Sequence, residues 1–135
     1  MTKPFLPAAA VLASLAAPAL SAPPAPAPMV ELSGAVRCSA LFGIVAGEQA
    51  RGLAGALRYP AMATRGREFF VQTGARLMDA EGLSRPAVQA RMQAEAARFQ
   101  AESAAAANPQ AYTDAAMAPC LRLLDAVIPP APDKD

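Results

Sequence analysis

The sequence predicts a small all-α domain of about four helices stapled by one disulfide, and three observations carry that expectation. Cys38, Leu41, Phe42 and Val45 recur at i, i+3, i+4 and i+7, the spacing of a helix core stripe. Met117, Cys120, Leu121, Leu124, Val127 and Ile128 repeat the same spacing around the second of the chain's two cysteines. Between these stripes, glycine and proline punctuate the chain where helices should stop and start.

The stretch from Val36 to Ala50 should be the central helix. Besides its core stripe it carries small residues, Ala40, Gly43, Gly47 and Ala50, on an adjoining line, where another backbone could come close. Arg37, Glu48 and Arg51 mark its narrow polar strip, with Ile44 inside it. The small-residue line resembles a membrane dimerisation signal, but the segment is too short and too polar to span a bilayer, so packing inside the domain is the expected use. This helix should begin near Leu32 to Gly34, with Ser33 as N-cap. Leu53 and Leu57 continue the apolar spacing, so it can run on to Arg58. Gly52 and Gly55 weaken those last turns, and Pro60 ends them.

A second helix is expected over residues 63–81, with Met62, Gly66, Phe69, Phe70, Thr73, Leu77 and Ala80 on one face. Gly82 suits a left-handed helix end, Leu83 the apolar contact after it, and Ser84 the next N-cap. Pro86 then falls in the first turn of a third helix, whose core stripe is Val88, Met92, Ala96 or Glu95, and Phe99. Asn108 and Pro109 open the fourth helix. Pro119 should kink or break it just before Cys120, and Pro129 and Pro130 end it.

The termini frame this domain. Lys3, the apolar run from Ala8 to Ala17, and the small residues Ala19, Ser21 and Ala22 have the order of a secretory signal peptide. Residues 1–21 are therefore expected to be removed on export to the periplasm or beyond. Residues 22–31, proline- and alanine-rich, form an extended linker; residues 32–128 form the domain and 129–135 a flexible tail. The apolar run is too short for a stable membrane span. An exported chain with two cysteines pairs them most simply, so a Cys38–Cys120 disulfide is expected.

Composition narrows the chemistry. The chain has no histidine, hence no imidazole base, metal ligand or pH switch. Two cysteines alone make no four-ligand zinc or iron–sulfur site, and no cofactor motif is present. Glu48 with Arg51 and Glu68 with Arg65 are the nearest polar pairs, but such spacing is ordinary on helices and names no catalytic residue. Without Lys3, basic and acidic side chains are equal in number, which gives no reason to expect a nucleic-acid partner. The charges are nonetheless segregated. Residues 51–76 hold a net +4, and Arg58, Arg65 and Arg67 form a candidate anion-binding surface beside a helix start. The competing expectation is that these arginines pair with Glu95, Glu102 and Asp114.

In its cysteine pair and helix count the chain resembles small periplasmic acid-stress chaperones, and equally small periplasmic inhibitor or immunity proteins. That likeness covers architecture alone and transfers no functional residue. The expectation is an exported, non-enzymatic binding or accessory module whose partner is a protein or an anionic surface ligand. An acid-stress chaperone is one alternative; an inhibitor or immunity-type protein, or an enzyme whose site leaves no mark in the sequence, is the other.

Overall fold

In the computed structural model, residues 28–132 are described. The expected signal peptide, most of the linker and the last three tail residues lie outside the described residues. Five helices follow in order: α1 (Pro28–Ala50), α2 (Ala54–Leu57), α3 (Arg65–Glu81), α4 (Arg85–Ala105) and α5 (Pro109–Val127). Among the described residues there is no strand, and no helix is long and apolar enough to cross a membrane. The all-α class and the Cys38–Cys120 disulfide are as expected, with the cysteine Cα atoms 5.3 Å apart.

Helix α1 is the axis of the molecule and packs against all four others. Leu41, Phe42 and Val45 are completely buried, as the core stripe requires. The helix starts at Pro28, earlier than expected, and takes over the end of the linker. Proline has the backbone angle of a first helical residue and needs no amide partner there, and Glu31 in the first turn complements the helix dipole. Ser33 therefore lies inside the helix rather than at its cap.

The other end of α1 is decided by Gly52, whose φ is +71°. Its N–H donates to the Gln49 carbonyl (2.9 Å) and the Leu53 N–H reaches back to Glu48 (3.1 Å), the paired bonds of a Schellman end. The helix consequently does not run on to Arg58. Leu53 and Leu57 belong to a separate turn, and Leu57 is 59% exposed instead of extending the core stripe. The loop carrying α2 is pinned by one side chain. Gln49 Nε2 donates to the carbonyls of Ala56, Tyr59 and Pro60, and its Oε1 accepts from the Met62 N–H.

The α3–α4 junction follows the sequence expectation. Gly82 sits at φ +65° and donates to the Met78 carbonyl, and Ser84 Oγ accepts from the Ala87 N–H. Replacing Gly82 with alanine should cost about 1 kcal/mol, since a Cβ is strained in this conformation. Thermal unfolding checks it, and an unchanged or higher midpoint would argue against the left-handed cap. Gly66, Phe69, Thr73 and Leu77 of α3 are buried as expected, whereas Phe70 and Ala80 are exposed. Most of the contact of α3 is with α1, and Phe70 lies at the edge of the line which that contact buries.

Asn108 caps α5 by accepting from the Ala111 N–H at 3.0 Å. Of the kink or break expected at Pro119, the break is absent: α5 runs through it as one helix. Pro119 and Ala115, the residue whose carbonyl loses its amide partner, are both exposed, so water can satisfy that carbonyl. Met117, Cys120, Leu124 and Ile128 are buried, while Val127 is partly exposed. The small-residue line of α1 is not used for packing inside the domain beyond Ala40. Gly43, Gly47 and Ala50 are exposed, and a Cβ built on Gly43 would meet nothing within 4 Å.

Candidate binding groove

The three arginines singled out from the sequence do not converge. Arg58 pairs with Asp114 of α5 at 3.1 Å. Arg65 closes the C-terminus of α5: its Nε and Nη2 donate to the Ile128 carbonyl at 3.1 and 2.5 Å, and Nη2 meets Asp125 at 2.6 Å. A guanidinium at a helix C-terminus satisfies orphan carbonyls and opposes the helix dipole. Both are thus committed within the fold, and only Arg67 makes no hydrogen bond or ion pair among the described residues.

Two polar clusters tie α5 to the rest; the expected pairing of the 51–76 arginines with Asp114 holds for Arg58, and that with Glu95 and Glu102 does not. Arg37 takes Glu95 and Glu102, the partners expected for the arginines of residues 51–76. Its Nη2 donates to Glu102 (2.9 Å) and to the Tyr112 hydroxyl (3.0 Å), Tyr112 donates to Glu102 (2.6 Å), and the guanidinium lies over the Phe99 ring. In the second cluster, Asp114 accepts from Tyr59, Gln110 and Arg58. Burial, followed by the neighbouring Asp114 carboxylate, pushes the Tyr59 hydroxyl up to about 12. Hydrogen bonds hold Glu102 (Tyr112 first, then Arg37) and Asp114 (Tyr59 first, then Gln110) below the usual carboxylate range.

A carboxylate with a depressed folded-state pKa contributes stability above its unfolded value and loses it as pH falls through the folded value. The melting temperature should therefore drop as pH falls from about 5 through and below the usual carboxylate range. Glu102→Gln with Asp114→Asn should be less stable at neutral pH and show a flatter acid limb. An acid limb as steep as that of the parent protein would place the titration elsewhere.

Besides a small hollow of about 220 Å³ by Glu48, Phe99 and Thr113, two surface regions are candidate sites. One, of about 480 Å³, lies over the disulfide and is walled by Gly34, Pro119 and Leu123, with Arg37 and Tyr112 at its rim. Its polar rim is already satisfied by Glu102.

The other is a set of three hollows that meet at Phe70. The largest, about 620 Å³, runs between α3 and α4 along Phe70, Val71, Gly74 and Met78, with Arg85 at its edge. A second, about 350 Å³, lies between α1 and α4 over Ala40, Gly43 and Met92. The third, about 200 Å³, reaches Gly66 and Arg67. Phe70 is 36% exposed, Val71 59% and Met78 37%, so one helix presents three large apolar side chains to water. The buried Ser39 lines two of the hollows, and its Oγ has no hydrogen-bond partner among the described residues. No acidic residue lines any of the three. Arg85, like Arg67, makes no hydrogen bond or ion pair among the described residues. The sequence signal for this groove was present in the exposed apolar spacing of Phe70, Val71 and Met78, but periodicity alone merged Phe70 with the core.

Fold and groove together define a class: a disulfide-stapled helical domain with an open apolar groove between three helices. Comparison with protein-family models, curated proteins and solved structures finds no match to the chain.

Proposed function

We propose that this chain is an exported, non-enzymatic binding or accessory protein that docks a partner in the groove around Phe70. The observation that carries the reading is the exposure of Phe70, Val71 and Met78 together along one open trough, whereas the other exposed large apolar side chains, Leu53, Leu57 and Val127, do not line it. Export is supported by the signal-like N-terminal sequence and by a disulfide, which persists in oxidising compartments such as the periplasm. A photoreactive side chain at Val71 tests the groove, with the exposed Ala118 of α5 as control. A specific adduct from Val71 in the exported fraction supports the reading. No adduct beyond that from Ala118 overturns it.

A second reading, an acid-stress chaperone, is favoured by the reliance of α5 on Glu102 and Asp114. Their protonation would loosen α5 around the disulfide and open the core beneath it. Client-aggregation and dye-binding assays at pH 2–3 separate the two readings. Absence of both client protection and newly exposed apolar surface eliminates the chaperone.

A further inference from the structure

We propose that the groove around Phe70 receives an acidic amphipathic helix of a partner protein, its apolar face along Phe70, Val71 and Met78 and its flanking carboxylates on Arg67 and Arg85. The inference rests on the groove being the docking surface and adds the chemistry of what docks there.

Charge is the first argument. Arg67 and Arg85 lie in the first turns of α3 and α4, where the helix dipole is already positive, so each guanidinium stands in an unfavourable local field. Neither has a partner, and the same holds outside the groove for Arg51 and Arg122, while the other arginines among the described residues take up Glu31, Glu81, Glu95, Glu102, Asp114 and Asp125. An apolar trough with two unpaired arginines at its margins and no carboxylate is complementary to an apolar ligand with acidic flanks.

Shape is the second. From Arg67 to Met78 the wall runs three helical turns, about 16 Å, more than the roughly 10.5 Å over which a partner helix presents i, i+3, i+4 and i+7 anchors. Gly43 on the floor leaves its position open to within 4 Å, so a partner can settle close to α1. The trough is open along its length, unlike the enclosed pockets that bury most of a small ligand, which disfavours a single long-chain carboxylate. A second copy of this chain is the competing occupant, because Glu68 and Asp79 flank the same apolar residues of α3, and sedimentation decides against or for it. Among the described residues, only Glu48, Glu68 and Asp79 are carboxylates not paired with an arginine.

The test uses the full chain after removal of its leader and two helix-constrained peptides of about 16 residues with one leucine face. In one peptide glutamates flank that face, in the other lysines. Fluorescence anisotropy at low salt should show the glutamate peptide binding at least about tenfold more tightly, with the gap closing at high salt. Arg67→Glu with Arg85→Glu should reverse the preference, and acidic residues in a helix first turn do not threaten folding. Arg51→Glu with Arg122→Glu, exposed and unpaired arginines outside the groove, carries the same net charge and should leave the preference intact.

Equal binding of the two peptides, or a preference reversed equally by both variant pairs, overturns the proposal. So does sedimentation showing a dimer that Phe70→Ser abolishes, or palmitate displacing the peptide stoichiometrically. A Val71 adduct to a partner, together with no preference for the glutamate peptide, refutes the acidic helix alone. Loss of both refutes the docking surface itself.

Discussion

Replacing Cys38 and Cys120 with alanine should destabilise the domain by about 2–5 kcal/mol, seen as a melting temperature lower by about 10–25 °C. The bridge joins residues 82 apart in sequence, so cutting it frees a long loop in the unfolded chain; the entropy model gives about 4.5 kcal/mol for a loop of that size. It also joins the central helix to the last one. Apart from the bridge, α5 is held by Met117, Leu124 and Ile128 in the core and by the Arg65, Glu102 and Asp114 contacts. Without it, α5 should loosen first while α1, α3 and α4 stay helical at low temperature. Alanine is the right replacement, because both cysteines are buried and a serine hydroxyl would add a desolvation cost unrelated to the cross-link. Circular dichroism melts with and without reductant, together with thiol titration of exported protein, check the result. Two titratable thiols, or a melt indifferent to reductant, would remove the staple from the account of stability.

Phe42→Ala should cost about 3–5 kcal/mol, comparable to losing the bridge. The ring is fully buried and meets Phe69 edge-to-face with centroids 5.4 Å apart. Its Cβ lies 3.1 Å from where a Cβ on Gly66 would stand, so α1 and α3 are in close contact at this point and have little room to collapse into a cavity. Phe70→Ala is the internal comparison. Phe70 is partly exposed, and its loss should cost no more than about 1 kcal/mol in stability while weakening whatever docks in the groove. Urea unfolding measures both, and the denaturant slope should be unchanged if each variant keeps the native fold. Equal costs for the two substitutions would mean that the assignment of Phe70 to the groove is mistaken.

These two phenylalanines mark where sequence reading ends. The helices themselves are local events: Gly82, Ser84, Asn108 and Pro109 stop and start them through backbone conformation and first-turn hydrogen bonds, which depend on residues within four positions. The Cys38 and Cys120 stripes were equally legible, because burying a helix requires apolar spacing of about 3.6 residues wherever its neighbour lies. The disulfide followed from there being only two cysteines, each on such a stripe.

The rest depended on which helix lies beside which. Periodicity places Phe69 and Phe70 on the same broad face, yet α1 covers only one of them. Gly52 could have been tolerated inside a longer helix; its left-handed conformation is kept by a loop that the Gln49 side chain clamps at Ala56, Tyr59, Pro60 and Met62. The arginines show the same division most clearly. Their number and clustering are sequence facts, but partners 56 to 65 residues away decide their roles, binding Arg37 to Glu95 and Glu102, Arg58 to Asp114, and Arg65 to the end of α5. Local structure is set by interactions the chain makes with its near neighbours. Which cations remain free, and which apolar edge stays open, is set by contacts that exist only once distant segments have packed.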